Sequence, residues 1–411
     1  MASRIYTGVS SKAKKVKSIY IGVDGKARSV KAVYIGVNGK ARLCWKRPGI
    51  YKYKNNTIGL GLYRKNMAGA VCDFSGYAVF GGGSATKSDE SSESYSAMVQ
   101  MCNTDLTIQE LTALSIKREY LSATTAGAGK WGRSFVIFAG GAAWTGVGDG
   151  TDAVDGYDSG YTKTSFSGLS SKKCCIGACT TANHRYAVFA GGGLLYGNAS
   201  STADIYDSNG NRSTGTSLST ASYDVKATTV GDYILFAGGK NTGKSSGYST
   251  LTTVNAYNNS LTRTTVSSLS VGRYTHAATR AGNYALFAGG YSGKKYSTTL
   301  NTVDAYDSSL TRISAPNLTK AVAYVQSCTL DDYALIGSGL AANPSGGGVG
   351  TVTMQAYDST LTKTNIPDMM KYRDEEGIGV ELGDYAMFVS GTSMKSSDPN
   401  TIFDMYYNYI G

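Results

Sequence analysis

Residues that could hold a metal or carry out catalysis are few in this chain. Cys174, Cys175 and Cys179 stand close together, but a zinc site needs a second group of ligands at suitable spacing, and the sequence offers none. The acidic stretches Asp149–Asp152 and Asp89-Glu90 are more typical of solvated loops than of calcium sites. No Gly-x-x-x-x-Gly-Lys-Ser/Thr phosphate loop is present. We therefore expect no metal, no cofactor and no enzymatic activity.

Aromatic residues are better candidates for a functional surface. The chain has 31 Tyr residues, and several aromatics follow pairs of glycines in stretches that vary in length and composition. Aromatic side chains mixed with Asn, Ser and Thr on adaptable loops suit the recognition of sugars or proteins. The alternative, of equal weight, is that Tyr is the ordinary strand residue of this sequence. The candidate ligand-binding residues are Trp144, Tyr196, Tyr248, Tyr291 and Tyr296.

Positive charge is concentrated at the N-terminus. Residues 1–47 hold twelve Lys or Arg residues and one acidic residue, Asp24, whereas the rest of the chain is balanced. Such a segment suggests an acidic partner surface, which can be a nucleic acid, an anionic polymer or another protein. The alternative is a set of solvated strand edges kept soluble by lysine. The candidate anchoring residues are Lys12, Lys14, Lys15, Lys17, Lys26, Arg28, Lys31, Lys40 and Arg42.

These basic residues belong to a repeat with a period of 14. The segment Ile5–Val9 recurs at Ile19–Val23 and Val33–Val37, each time before a turn and a basic strand. Asp24-Gly25 and Asn38-Gly39 are strong signals of a hairpin turn, because both turn residues adopt positive φ. The sequence predicts three tandem β-hairpins in a module of residues 1–48. Such small hairpins are marginal alone, so we expect docking on a partner or a homo-oligomer, with a trimer favoured.

Cysteine usage and the N-terminal residues indicate where the chain folds. Seven Cys residues at irregular spacing argue against a disulfide framework and fit a reducing cytosol. The segment Met1–Val9 lacks the apolar core of a signal peptide. No apolar run approaches the length of a membrane helix, so we expect no membrane insertion.

A second repeat, with a period near 50, covers the rest of the chain. Its clearest element is an aromatic-apolar strand that runs into glycines, and its seven copies begin at Tyr77, Ser134, Tyr186, Tyr233, Tyr284, Tyr333 and Tyr385. A Val-Asp-Ala-Tyr-Asp type of segment follows five of them, and a Leu-Ser-x-x-Arg pattern such as Leu269–Arg273 precedes the next unit. A second aromatic set leads into the strands, and we expect it to serve packing: Tyr120, Tyr223, Tyr274, Tyr324 and Tyr372.

The order of these elements resembles the kelch repeat, the four-stranded blade found in the central domain of galactose oxidase. The resemblance covers residues 62–411 and implies a seven-bladed, kelch-like β-propeller, so the predicted fold is all-β. In place of the Trp usual in the fourth kelch strand this chain has Leu-Thr-Arg-Thr, as at Leu261–Thr264. A copper site like that of galactose oxidase needs two His and a crosslinked Tyr near one axis. His184 and His276 fall in different parts of the repeat, so we expect no copper.

The last repeat has a third strand but no room for a fourth. We expect residues 51–62 to supply that outer strand, which would close the ring and remove an open seam. The predicted propeller domain is therefore residues 49–411.

The N-terminal repeat resembles short modules in virion proteins of phages and prophages from Gram-positive bacteria. The resemblance implies a virion protein assembled in the host cytoplasm, which contacts other virion proteins through its hairpins. We expect a tail or baseplate appendage whose propeller binds the host surface, through a glycan or a protein. The alternatives are a capsid fibre or decoration protein that adheres to other surfaces such as mucus, a cytosolic kelch scaffold for a protein partner, and a glycan-active enzyme.

Overall fold

The computed structural model of the chain is built of β-strands and contains no helix among the residues it describes. It describes residues 6–9, 12–15, 20–23, 26–29, 32–37, 40–46, 49–52, 67–72, 76–86, 93–127, 134–143, 150–293, 298–343, 348–373, 377–390 and 404–409. The chain divides into two compact units, one of residues 1–53 with 406–411 and the other of residues 54–405.

The first unit contains the three predicted hairpins. The pairs are β1 (Tyr6–Val9) with β2 (Lys12–Lys15), β3 (Tyr20–Val23) with β4 (Lys26–Ser29), and β5 (Ala32–Val37) with β6 (Lys40–Lys46). Each pair is joined across two residues, as the turn signals predict. Lys17 and Lys31 lie outside the described residues, and no side chain of residues 1–48 is described. The anchoring role of the nine basic residues therefore stays a prediction.

The period-50 repeat folds into seven four-stranded antiparallel sheets, or blades. Blade 1 contains β8 (Ala68–Cys72), β9 (Tyr77–Gly81), β12 (Val99–Asn103) and β13 (Ile108–Leu111), and a small sheet of β10 (Ser84–Thr86) and β11 (Glu93–Tyr95) precedes β12. Blade 2 contains β14 (Ser122–Ala126), β15 (Phe135–Ala139), β16 (Val154–Asp158) and β17 (Lys163–Ser165). Blade 3 contains β18 (Gly177–Thr180), β19 (Ala187–Ala190), β20 (Ala203–Tyr206) and β21 (Arg212–Gly215).

The remaining blades follow the same order. Blade 4 contains β22 (Lys226–Val230), β23 (Tyr233–Ala237), β24 (Val254–Asn258) and β25 (Arg263–Val266). Blade 5 contains β26 (Ala277–Ala281), β27 (Tyr284–Ala288), β28 (Val303–Tyr306) and β29 (Arg312–Ala315). Blade 6 contains β30 (Gln326–Leu330), β31 (Tyr333–Ala342), β32 (Gly348–Tyr357) and β33 (Lys363–Ile366). Blade 7 contains β34 (Gly377–Leu382), β35 (Tyr385–Ser390), β36 (Asp404–Tyr409) and β7 (Gly49–Lys52).

The first strands of the blades form a closed ring. Each lies beside the first strand of the next blade, and β34 lies beside β8. This arrangement is a seven-bladed β-propeller, in which each blade buries its faces against its neighbours. The outer strand of blade 7 is β7, which includes residues 51 and 52. Residues 53–62 of the predicted closing segment lie outside the described residues.

Third-strand tyrosines join each of blades 2 to 6 to the blade before it. The hydroxyls of Tyr157, Tyr206, Tyr257, Tyr306 and Tyr357 donate hydrogen bonds of 2.7–2.8 Å to backbone carbonyls of the preceding blade, at Thr112, Ser167, Thr216, Ser267 and Pro316. Their rings are buried, and in blades 2 to 5 each meets the edge or face of a second-strand Phe. This repeated contact gives five of the 31 tyrosines a structural role between blades.

The Leu-Ser-x-x-Arg and Val-Asp-Ala-Tyr motifs meet inside the blades. In blades 2, 3, 5 and 7 a buried cation from the lead-in segment pairs with a buried third-strand Asp, at N–O distances of 2.7–3.2 Å: Arg118–Asp155, Lys173–Asp204, Arg273–Asp304 and Arg373–Asp404. In blade 4 the same two positions hold Ser222 and Asn255, and in blade 6 they hold Val322 and Gln355. The sequence thus builds four blades around an ion pair and two around neutral residues.

Candidate ligand-binding site

Two kinds of connection meet at one end of the blades. The segment that leads into a blade forms an isolated bridge with the residue after the glycine turn of the same blade, which is Gly-Gly in blades 2 to 5 and Ser338-Gly339 in blade 6. The five bridges are Glu119 with Ala142, Cys174 with Gly193, Tyr223 with Lys240, Tyr274 with Tyr291, and Ala323 with Leu340. The loops after the second strands and the loops between blades therefore share one face of the propeller.

The glycine pairs make this close approach possible. Gly238 and Gly239 have φ of +69° and +94°, a region that non-glycine residues rarely adopt. A Cβ atom on Gly239 would lie 2.6 Å from the carbonyl oxygen of Tyr223. Any larger residue would push the two segments apart.

A ring of strained residues surrounds the mouth of the central channel. The residue after each bridge position has a positive φ of 50–59°: Tyr120, Cys175, Asp224, Thr275 and Tyr324. We call these five residues the collar. Each stands two residues before a first strand. Such φ values cost non-glycine residues on the order of 1–3 kcal/mol and cluster at functional sites.

Hydrogen bonds run along the collar from blade to blade. The N–H of Cys175 donates to the carbonyl of Tyr120 at 3.0 Å, and the N–H of Asp224 donates to the carbonyl of Cys175 at 3.1 Å. The N–H of Thr275 donates to a carboxylate oxygen of Asp224 at 2.8 Å. These bonds hold the strained backbone in place.

The collar borders a cavity of about 230 Å³. Four tyrosines other than those of the collar line it, together with Lys240 and residues of two loops: Tyr196, Tyr223, Tyr248, Tyr274, Leu195, Gly243 and Ser245. Tyr248 and Tyr274 share a hydrogen bond of 2.8 Å between their hydroxyls. Burial and the hydrogen bond to Tyr248 raise the pKa of Tyr274, so its hydroxyl stays protonated. The cavity therefore combines aromatic faces with hydroxyl groups.

Lys240 occupies the centre of this aromatic group. Its Nζ lies 5.2 Å from the ring centroid of Tyr223, 4.8 Å from that of Tyr248 and 5.3 Å from that of Tyr274. These distances are those of cation–π contacts. Nζ also donates a hydrogen bond of 3.2 Å to the carbonyl of Lys244. The ammonium group is thus held in one place by several contacts.

The predicted loop aromatics divide into three groups. Tyr196 and Tyr248 lie at the cavity, as candidates should, and Tyr196 is 63% exposed. Tyr291 instead is fully buried, with its ring 5.5 Å from that of Tyr274 and 6.0 Å from that of Tyr324. Tyr291 is enclosed by these rings and does not line the cavity, so it supports the cavity wall. Trp144 and Tyr296 lie outside the described residues.

Sequence reasoning missed two sets of site residues. Tyr223 and Tyr274 pack inside the fold as expected, yet they also line the cavity. Lys240 was not singled out. Its position in the repeat could have identified it. The residue after the glycine turn is Ala142, Gly193, Tyr291 or Leu340 in the other bridged blades, so among these five blades a charged residue stands there in blade 4 alone.

The residues considered for chemistry do not assemble into a catalytic centre in the described part of the chain. Cys174 and Cys175 precede β18 rather than lying within it, and both thiols contact the hydroxyl of Tyr223. Cys179 lies in β18, where burial raises the pKa of its thiol to about 12. Burial and Arg273 lower the pKa of His276 to about 3, so this imidazole is neutral. Among the described residues no three His, Cys, Asp or Glu residues are grouped to hold a metal.

Asp149, Asp89 and Glu90 lie outside the described residues. The described residues contain no helix long and apolar enough to span a membrane. Beyond the collar, the central channel widens to a cavity of about 650 Å³ lined by Gly, Ala, Ser and Thr of the first strands, with Arg280 and Glu381 among them.

Comparisons with known proteins bear on the fold. No protein family model and no curated protein sequence matches the chain. Among solved structures the chain is similar to YjhT, with a TM-score of 0.54, 13% sequence identity, and coverage of 76% of this chain and 99% of that one. At that identity the likeness concerns the fold alone. The chain is thus a seven-bladed β-propeller with a strained, tyrosine-lined cavity at one end of its channel.

Proposed function

We propose that this chain is a bacteriophage virion attachment protein whose propeller binds a glycan of the host surface at the tyrosine-lined cavity. In this proposal the basic hairpins attach the chain to other virion proteins. The observation that carries the proposal is the cavity itself, in which exposed and half-buried tyrosine rings and hydroxyls converge on a rigid collar.

The geometry of the cavity supports sugar binding. A sugar ring offers an apolar face of C–H groups and a rim of hydroxyls, and an aromatic ring beside a hydroxyl matches both. Tyr196 presents such a ring to solvent at the cavity edge. The strained collar backbone is a form of preorganisation, because the loops need not reorder when the ligand enters.

The basic hairpins support the attachment part of the proposal. Three consecutive two-stranded sheets leave strand edges that can pair with another chain. The excess of Lys and Arg in residues 1–47 favours an acidic docking surface. The resemblance of the repeat to phage virion modules points to the same role.

A binding experiment on the full chain tests the glycan part. The chain is applied to an array of cell-wall and capsular glycans, and any hit is titrated by calorimetry. Tyr196→Ala should weaken binding about tenfold, the effect of removing one stacked aromatic ring. Tyr372→Ala is the matched control, because this Tyr is also exposed, at 45%, but its ring lies against Gly350 and away from the cavity.

Three results would contradict the proposal. The first is the absence of any glycan hit. The second is equal loss of binding in the Tyr196 and Tyr372 variants. The third is turnover of a bound polysaccharide, which would identify an enzyme.

Gold labelling of the N-terminus in intact particles separates a tail protein from a capsid decoration protein. The mass of the purified chain in solution tests the expected trimer.

A further inference from the structure

Two charged side chains line the cavity. Among the described residues that line it, the charged ones are Asp224 and Lys240. Asp224 accepts the N–H of Thr275 at 2.8 Å and forms an ion pair of 2.9 Å with Lys226. Each carboxylate oxygen of Asp224 thus contacts a group of the protein, and the second charge that lines the cavity is the ammonium of Lys240.

That charge has a fixed position. The Nζ of Lys240 is surrounded by the rings of Tyr223, Tyr248 and Tyr274 at 4.8–5.3 Å. A lysine on an open surface loses side-chain entropy when it binds a ligand. Here the folded chain has already ordered the side chain, so an acid group that reaches it meets a preorganised partner.

The loop that carries Tyr196 is ordered next to this charge. Tyr196 has a φ of +61°, and the N–H of Gly197 donates to the carbonyl of Leu194 at 2.9 Å. The carbonyl of Gly197 accepts the N–H of Gly243 at 2.7 Å and the hydroxyl of Thr242 at 2.6 Å. Tyr196 is thus held in a strained conformation and is still 63% exposed. Its ring can therefore stack against a sugar ring of a ligand.

We infer that the cavity selects an acidic glycan, whose carboxylate or phosphate group lies against Lys240 while a sugar ring stacks on Tyr196. This inference rests on the proposed function and adds the chemical class of the ligand to it. The attraction between an oxyanion and the Lys240 ammonium is charge-assisted and stronger than a neutral hydrogen bond. Neutral glycans of the same size lack this charge-assisted contact.

Calorimetry on the full chain tests the inference with three probes. A galacturonate oligomer supplies carboxylates, a glycerol phosphate oligomer supplies phosphates, and a dextran oligomer is neutral. The wild-type chain should bind one or both acidic probes at least about tenfold more tightly than dextran, the size of effect that one charge-assisted hydrogen bond gives. Tight binding of only one acidic probe identifies the acid group.

Two lysine variants separate the specific charge from general attraction. Lys240→Met keeps the side-chain length and removes the ammonium, so it should weaken binding of the acidic probe about tenfold and binding of dextran by a much smaller factor. Lys244→Met is the matched control, since Lys244 contacts Lys240 through its backbone carbonyl, and it should change affinity less than about twofold. Raising the salt concentration should weaken the acidic probe with the wild type and much less with Lys240→Met.

The outcomes distinguish this inference from the proposed function. If all probes bind equally, or if Lys240→Met binds the acidic probe as the wild type does, the inference is wrong. The proposed function still stands in that case if Tyr196→Ala weakens binding. If neither these probes nor the glycan array shows any binding, both fail. Unfolding curves of each variant show whether a loss of affinity reflects a loss of folding.

Discussion

Blades 4 and 5 are neighbours with the same backbone plan and different buried interiors. In blade 5 the guanidinium of Arg273 donates to Asp304, to the carbonyls of Gly289 and Thr302 and to the hydroxyl of Thr302, all at 2.7–3.2 Å. In blade 4 the hydroxyl of Ser222 donates to the carbonyl of Gly238 at 2.6 Å. A long charged side chain and a short neutral one thus hold the same glycine turn.

The acid changes together with the cation. In blades 2 to 7, a lead-in Arg or Lys goes with a third-strand Asp, and Ser222 or Val322 goes with Asn255 or Gln355. A buried ion without its partner is costly, whereas a neutral pair of similar shape is tolerated. The difference indicates that these two positions suit a matched pair, which can be charged or neutral.

Removing the cation of one ion pair should have the largest effect on stability. Arg273→Met removes the closer cation and leaves the carboxylate of Asp304 buried, with Arg312 still 3.6 Å away. We expect the free energy of unfolding to fall by about 3–5 kcal/mol, measured by denaturant titration. The double variant Arg273→Ser with Asp304→Asn copies blade 4 and should recover most of that loss. A double variant no more stable than the single one would show that matching is not the reason.

Low pH provides a second test of the comparison between charged and neutral blade interiors. Burial alone would raise the pKa of Asp204, but Lys173 and the bonds from Ser170 outweigh burial and lower it. Because the folded pKa lies below the unfolded one, the pair contributes stability above a pH of about 4 and loses it as the pH falls through the folded pKa. The double variant Lys173→Ser with Asp204→Asn should therefore lose less melting temperature than the wild type between pH 7 and pH 3. An equal decrease in both proteins would count against this account.

The smallest effect on the free energy of unfolding should come from the tyrosine hydroxyls. It should be equal in a blade that contains an ion pair and in a blade that contains neutral residues. Tyr206→Phe in blade 3 and Tyr257→Phe in blade 4 each remove one hydroxyl that donates to the preceding blade, at 2.8 and 2.7 Å. Each change should lower the free energy of unfolding by about 1 kcal/mol. A clear difference between them in denaturant titrations would mean that the ion pair also acts on the blade interface.

The fold was predictable because its signals are local and repeated. A strand that ends in Gly-Gly recurs at each second strand of blades 2 to 5, and Asp-Gly and Asn-Gly mark the positions between paired strands of two hairpins. The ion pairs were not predicted. Their members stand 31–37 residues apart, and only the three-dimensional structure shows that the two motifs meet.

The candidate site was predictable in part. Loop length and composition identified Tyr196 and Tyr248, but the same reasoning included Tyr291, which the bridge to Tyr274 buries. The collar carries no local sequence signal, because Cys175 and Thr275 do not favour positive φ. Tertiary packing imposes that backbone, so the strained residues become visible only in the structure.

The hydrogen bonds of the third-strand tyrosines in blades 2 to 6 all have the same direction, from each blade to the one that precedes it in the chain. A ribosome releases the N-terminal part of a chain first, so each acceptor carbonyl is made before its donor tyrosine. A newly synthesised blade can therefore fasten onto a completed one as soon as its third strand emerges. The propeller can therefore assemble blade by blade during translation. At each stage the blade made last is the one to which no later blade has yet bonded.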